Sequence, residues 1–204
     1  MALPINKQQA HKAARWMKTN FGEEISVAVA GTPFSTDIVC AIACQETAYF
    51  WLNFIDTLSV DDVLARCVLD GSGDVPGTSR GPFPKNTAAF RERYGDEFTD
   101  MLIAEANESR KLRGYGPKNW VYKGYGIYQY DLQYVISDES FFRQKKWYSY
   151  DECLKRLMKE LKEKYSHHGE LWKAIRAYNG SGPKATEYAN NVIQFAEYCS
   201  EVTP

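Results

Sequence analysis

Apolar residues recur along this 204-residue chain mostly at intervals of three and four, the spacing that lines one side of a helix. Ala10, Ala13, Ala14 and Met17 form such a stripe and predict a helix over residues 5–21, closed by Gly22. Residues 25–30 are a short apolar run that fits a strand or a helical turn. Residues 59–62 are a capping-box-like start for a helix reaching about residue 69. Residues 87–94 and 96–112 are helical. Ser149 to Glu152 is a capping box, and Leu154, Leu157, Met158 and Leu161 give the helix behind it an inner stripe. Residues 170–178 form another helix, stopped by Asn179-Gly180, and Pro183 starts a last one whose stripe is Tyr188, Val192, Phe195 and Cys199. The prediction is a mainly α chain, α+β at most.

One helix differs from the rest. From Ile38 to Cys44 the sequence is wholly apolar, and a carboxylate, Glu46, stands near its end. Ser35 and Thr36 suit the amino-terminal cap, and Asp37 the first turn, where the helix dipole favours negative charge. Val39, Ile42, Ala43, Glu46 and Phe50 fall on one face, so Glu46 belongs to the side that packs inward. A carboxylate there is costly unless partnered or protonated. A protonated Glu is what a general acid requires; the plainer reading is a Glu that bends to solvent or pairs with an Arg.

Composition narrows the partners. Charged residues are 25% and the net charge is −1, which gives no strong pull toward nucleic acid or an anionic membrane. Arg143, Lys145 and Lys146 cluster, but read as a solvated face. No apolar run is long enough to span a bilayer, and residues 1–9 lack the apolar core of a signal peptide, as would a chain whose signal has been removed. The five cysteines include no Cys-x-x-Cys pair, so reduced, buried thiols and synthesis inside the cell are the default. His11, His167 and His168 have no metal-ligand spacing, and His167-His168 reads as a loop before the next helix; no metal or cofactor is expected. Aromatics reach 14%, and Tyr and Trp suit stacking on sugars as well as packing in a core.

Residues 70–86 break the helical pattern with four Gly and three Pro, and include Asp70, Asp74 and Arg80. This is a loop, either a surface excursion or a wall of a cleft. Residues 121–134 are Tyr-rich, punctuated by Gly124 and Gly126, and read as an extended or turning stretch entering a short helix.

Three segments stand in a recognisable order: Ala43-Cys44-Gln45-Glu46-Thr47, then Gly126-Ile127-Tyr128-Gln129, then Ala177-Tyr178-Asn179-Gly180 followed by Tyr188 and Val192. Together they resemble the lysozyme-like superfamily, in particular soluble lytic transglycosylases and goose-type lysozymes. The resemblance covers residues 36–50, 124–131 and 174–192. It departs in having Thr47 where the family usually has Ser, and in the 80 residues between Glu46 and Gly126. What it implies is a single lysozyme-like domain over 1–204, enlarged in the middle, with 56–123 as a divergent insertion or substrate wall. Glu46 would be the general acid. Tyr178 would donate its hydroxyl to Glu46 or to the sugar, and Gln129 its amide to N-acetyl groups or hydroxyls. Thr47, Gly126 and Asn179 would complete the substrate contacts.

The mechanism turns on a second carboxylate, since inverting hydrolases hold two of them with water between. Asp56, Asp70, Asp74 and Asp131 are the candidates, Asp74 first. With no acid opposite, Glu46 serves as acid and then base while the sugar's own hydroxyl closes an anhydro ring, as in the transglycosylases it resembles. The expected partner is peptidoglycan or a related polysaccharide, acted on by a monomer, for instance as a bacteriolytic endolysin. Chitin or chitosan hydrolysis, and an inactive saccharide-binding module, are the alternatives.

Overall fold

The computed structural model describes residues 3–78 and 80–204. Helix accounts for 64% and strand for 3%, so the chain is mainly α as its periodicity predicts. It forms two compact units: Met1–Val60 with Leu154–Pro204, and Asp61–Cys153.

In the first unit, α1 (Lys7–Val29) opens with a full capping box between Asn6 and Gln9. Gly22, expected to end this helix, lies inside it. Ile25 extends the buried stripe of Ala14, Met17 and Phe21 by one more turn, and that burial outweighs the modest cost of an interior Gly. The apolar run 25–30 is thereby the helix end, and Gly31, at φ +69°, turns the chain out of it. Next comes α2 (Thr36–Glu46), capped by Ser35, whose Oγ accepts from the Ile38 N–H at 3.3 Å. Every residue from Ile38 to Cys44 is buried, because α2 packs against both α1 and the last helix, α10 (Gly182–Ser200). A helix covered on several sides is apolar all round. The expected continuous face through Phe50 is interrupted: Thr47 leaves helical geometry at φ −138°, and Phe50 sits in a separate short α3 (Ala48–Trp51). The unit is completed by α9 (Leu171–Asn179) and by most of α8 (Tyr150–His168). His167 and His168 lie in the last turn of α8, not in a loop before the next helix. Arg176 Nε donates to Thr186 Oγ1 at 3.1 Å and Trp172 Nε1 to Asn190 Oδ1 at 3.0 Å, tying α9 to α10.

The second unit holds α4 (Val60–Ala65) at its start, α5 (Thr87–Tyr94), α6 (Asp96–Leu112), α7 (Glu139–Arg143) and a small antiparallel sheet ordered β1 (Val68–Asp70), β2 (Gly124–Tyr125), β3 (Tyr130–Asp131). The helix expected through residue 69 therefore stops at Ala65 and gives way to a strand. Val68 pairs with Tyr125, and Tyr125 with Tyr130. This unit takes in most of the stretch 56–123 and runs on to Cys153. Its physical reason is this pairing, together with an aromatic core in which Tyr125 meets Trp147 and Phe142 at centroid distances of 4.9 and 5.3 Å. Glu105 is ringed by Arg66, Lys145 and Tyr148 at 3.0, 2.7 and 2.5 Å. Burial pushes its carboxyl up, but the Lys145 and Tyr148 hydrogen bonds and the Arg66 charge outweigh this and hold it below the usual range.

Candidate active site

Glu46 is the last residue of α2 and is half-buried. Its Oε1 accepts a hydrogen bond of 2.6 Å from the Tyr188 hydroxyl. Helix α10 delivers that hydroxyl: Tyr188, Val192, Phe195 and Cys199 form its buried stripe, and the phenol is the polar tip of an otherwise apolar line. Burial, and then the nearby Glu46 charge, push the Tyr188 hydroxyl well above its ordinary value. It therefore stays protonated and available as a donor across the neutral range.

Behind the carboxylate, Thr47 is fully buried. Its Oγ1 accepts from Trp51 Nε1 at 2.9 Å. It was expected to touch substrate; instead it fixes the turn from α2 to α3 where no ligand reaches. The hydroxyl is needed there because the indole N–H is buried and requires an acceptor.

A cavity of about 410 Å³ opens beside this pair, and Tyr188 belongs to both. Lys184, Glu187 and Asn191 line it from α10, at helical spacing around Tyr188. Asn179, an expected substrate contact, lines it from the end of α9, and Gln45 from the last turn of α2. Gln45 Oε1 is buried without a hydrogen-bond partner. An orphaned acceptor at a cavity wall costs on the order of 1–3 kcal/mol and is relieved by a ligand donor. Tyr178, also on α9, stands with its ring 6.2 Å from that of Tyr188. Tyr188 thus gives Glu46 a hydroxyl donor of the kind expected from Tyr178.

Gly126 and Gln129 belong to the β2–β3 hairpin of the other unit. Gly126 is buried at φ +78°, and a Cβ there would lie 2.6 Å from Cys153 Sγ. Only Gly fits, and its role is the turn rather than substrate contact. Gln129 is itself left-handed, at φ +53°. Its Nε2 donates to Gly126 O at 2.9 Å, closing the hairpin, and to Cys67 O at 3.4 Å, tying it to the residue before β1. The donation to a sugar expected of Gln129 is pre-empted by these carbonyls.

Asp74 is also committed. Its Oδ2 accepts from Lys123 Nζ at 2.6 Å and its Oδ1 from the Thr87 N–H at 2.8 Å. The Lys123 side chain is fully buried and that of Asp74 is 7% exposed. Burial drags the Lys123 ammonium below its usual value, and Asp74 partly offsets this. Asp74 thus neutralises a buried cation instead of activating water, a role the run of Gly and Pro around it does not reveal. The other candidates have partners as well: Asp131 takes both oxygens to Arg80, Asp70 caps Ser72, and Asp56 meets Lys12 at 2.5 Å.

Among the described residues no group of three or more His, Cys, Asp or Glu is placed to hold a metal ion, and no helix is long and apolar enough to cross a membrane. All five cysteines are buried, and none is in a disulfide. Tyr188, Gln45, Lys184, Glu187 and Asn191 are site residues that sequence reasoning missed. The available signal was Tyr188 itself. A phenol on a buried stripe needs a polar partner, and so did Glu46. No protein-family model, curated protein or solved structure matches the chain.

Proposed function

We propose that this chain cleaves the β-1,4 bond of an amino-sugar polymer, peptidoglycan first among them, with Glu46 as general acid. The observation that carries the reading is the Glu46–Tyr188 pair: a half-buried carboxyl at the end of an apolar helix, aimed by a buried hydroxyl at 2.6 Å, beside a cavity lined by Gln45, Asn179, Lys184, Glu187 and Asn191. Gln45 Oε1 is suited to an acetamido N–H or a sugar hydroxyl, and Lys184 to acidic groups along the polymer. Glu46 gives its proton to the leaving oxygen as the C1–O bond breaks. The ordered segments around Glu46, Gln129 and Tyr178, with their lysozyme-like resemblance, support the same chemistry.

The engagement of Asp56, Asp70, Asp74 and Asp131 favours a route without a second acid. There the Glu46 carboxylate takes the proton back from the sugar's 6-hydroxyl, which closes on C1 as an anhydro ring. One observation favours hydrolysis instead: Glu187, a second carboxylate, lines the same cavity as Tyr188. Purified protein is incubated separately with peptidoglycan, chitin and chitosan, and products are identified by mass. Anhydro ends support the first route; new reducing ends that vanish in Glu187→Gln support the second. Equal release by wild type and Glu46→Gln removes Glu46 from the chemistry. Binding without release from any polymer supports a saccharide-binding module.

A further inference from the structure

We propose that the unit Asp61–Cys153 carries its own binding site for a carboxylate-bearing sugar, in the pocket between the carboxyl end of α6 and the loop that follows β1. The pocket measures about 370 Å³, within the range of small-molecule sites. One wall is a stack of cations and rings. The Arg110 guanidinium lies 5.5 Å from the Tyr115 ring centre and 5.6 Å from that of Trp120, and Arg113 lies 5.4 Å from Tyr115. Arg110 is locked in place: its Nε donates to Gly116 O at 2.8 Å and its Nη1 to the Tyr122 hydroxyl at 3.2 Å.

Basic residues in a last helical turn are explained in part by the helix dipole. That account requires neither aromatic platforms nor a concavity. Arg110 commits Nε and Nη1 to Gly116 and Tyr122 and turns Nη2 to a carboxylate, with the Arg113 guanidinium lining the same pocket. The opposite wall is backbone from Gly71 and Ser72, with Val75 and Thr78. Gly71 has a reason to be Gly: a Cβ would stand 3.2 Å from the Tyr122 ring and 3.7 Å from Trp120, so the chain runs directly against the aromatic floor. Asp70 turns its carboxylate onto the Ser72 N–H at 2.9 Å and Oγ at 3.2 Å. Two guanidiniums and one carboxylate line the pocket. Tyr115, 53% exposed, and the half-exposed Trp120 offer ring surface for a sugar to lie on. Oxyanion-binding arginines beside stacking rings define the class: a sugar ring with a carboxylate on it, either as a uronic acid or as an ether-linked lactate.

The test uses the full chain as Glu46→Gln, so that no ligand is cleaved and the outcome is separate from the Glu46 reading. Binding of trigalacturonate, of a disaccharide containing N-acetylmuramic acid, and of neutral chitotriose is followed by calorimetry and by the indole N–H signal of Trp120. At least one acidic sugar is expected to bind and shift that signal, and the pair of acidic probes tells the two carboxylate sources apart. Arg113→Gln is expected to weaken binding at least ten-fold, and Val75→Trp, which fills the pocket, to abolish it, both with unchanged circular dichroism. Equal affinity for chitotriose, acidic-sugar binding that survives both substitutions, or no binding of either acidic probe overturns the proposal.

Discussion

Replacing Tyr188 by Phe is the most direct test of how Glu46 is held. The substitution keeps the ring, which is 95% buried, and removes one oxygen whose hydrogen bond to Glu46 Oε1 is 2.6 Å long. The bond strengthens as Glu46 gives up its proton, and a hydrogen bond to a charged group is worth about 1.5–3 kcal/mol. If it aims the carboxyl at the leaving oxygen, its loss appears in the turnover step. At 1.36 kcal/mol per factor of ten, kcat on soluble peptidoglycan fragments falls roughly 10- to 150-fold. KM stays within about three-fold, because Tyr188 positions the acid and does not carry substrate binding alone. Phenol ionisation does not confuse the measurement, since burial and Glu46 hold the hydroxyl far above the assay range. The control is the double variant. In a Glu46→Gln background, Tyr188→Phe should change the residual rate by less than about two-fold, because residues acting as one unit are strongly non-additive. Tyr188→Phe with wild-type kcat, or equal losses in both backgrounds, refutes the positioning role.

Three further outcomes follow from the geometry. Glu105 has a carboxyl held below its ordinary value in the folded state, so its contribution to stability is complete above the unfolded value of about 4.3 and is lost as pH falls through the folded one. Urea midpoints between pH 7 and pH 3 should therefore drop less for Glu105→Gln than for wild type, although the variant is weaker at pH 7; parallel curves refute this. Asp74→Asn leaves the Lys123 ammonium buried without its counter-charge and should cost about 3–5 kcal/mol by chemical denaturation, while Asp74→Leu with Lys123→Met recovers much of it; an unchanged midpoint for Asp74→Asn shows that the ion pair is not structural. Gly126→Ala forces a Cβ to 2.6 Å from Cys153 Sγ at φ +78° and should lower stability by roughly 1–3 kcal/mol, partly restored by Cys153→Ala; a neutral Gly126→Ala removes the claim that the turn demands Gly.

Where helical period and capping agreed, the sequence was readable. Ser35, Asp37 and the run from Ile38 to Cys44 told the start and burial of α2, because a fully covered helix has no polar face to hide the signal. Boundaries failed where tertiary packing overrode a local rule. Gly22 was absorbed into α1 by the burial of Ile25, and residues 68–70 became a strand because residues 124 and 125 pair with them from far along the chain. Local periodicity carries no information about that pairing. Gly126 and Gln129 were singled out correctly as special, but the signal was conformational: both have positive φ, which composition alone cannot separate from substrate contact.

The acids show the same distinction. An acidic residue in a Gly- and Pro-rich loop reads as exposed and available, which made Asp74 the natural second carboxylate. Yet the chain also places Lys123 where no water reaches, and a buried ammonium without a counter-charge costs several kcal/mol. That demand is invisible until the fold brings Asp74 to it, and once met it removes Asp74 from catalysis. Glu187 is legible by a different route. On helical spacing alone it is one more polar residue beside the Tyr188 stripe, with nothing to mark it. What marks it is the cavity, shared with Gln45, Asn179 and the tyrosine that holds Glu46. A general acid is recognised by what buries and orients it, and its companion by facing the same space. The choice between ring closure and hydrolysis therefore rests on the Glu187→Gln product spectrum and not on the loop acids.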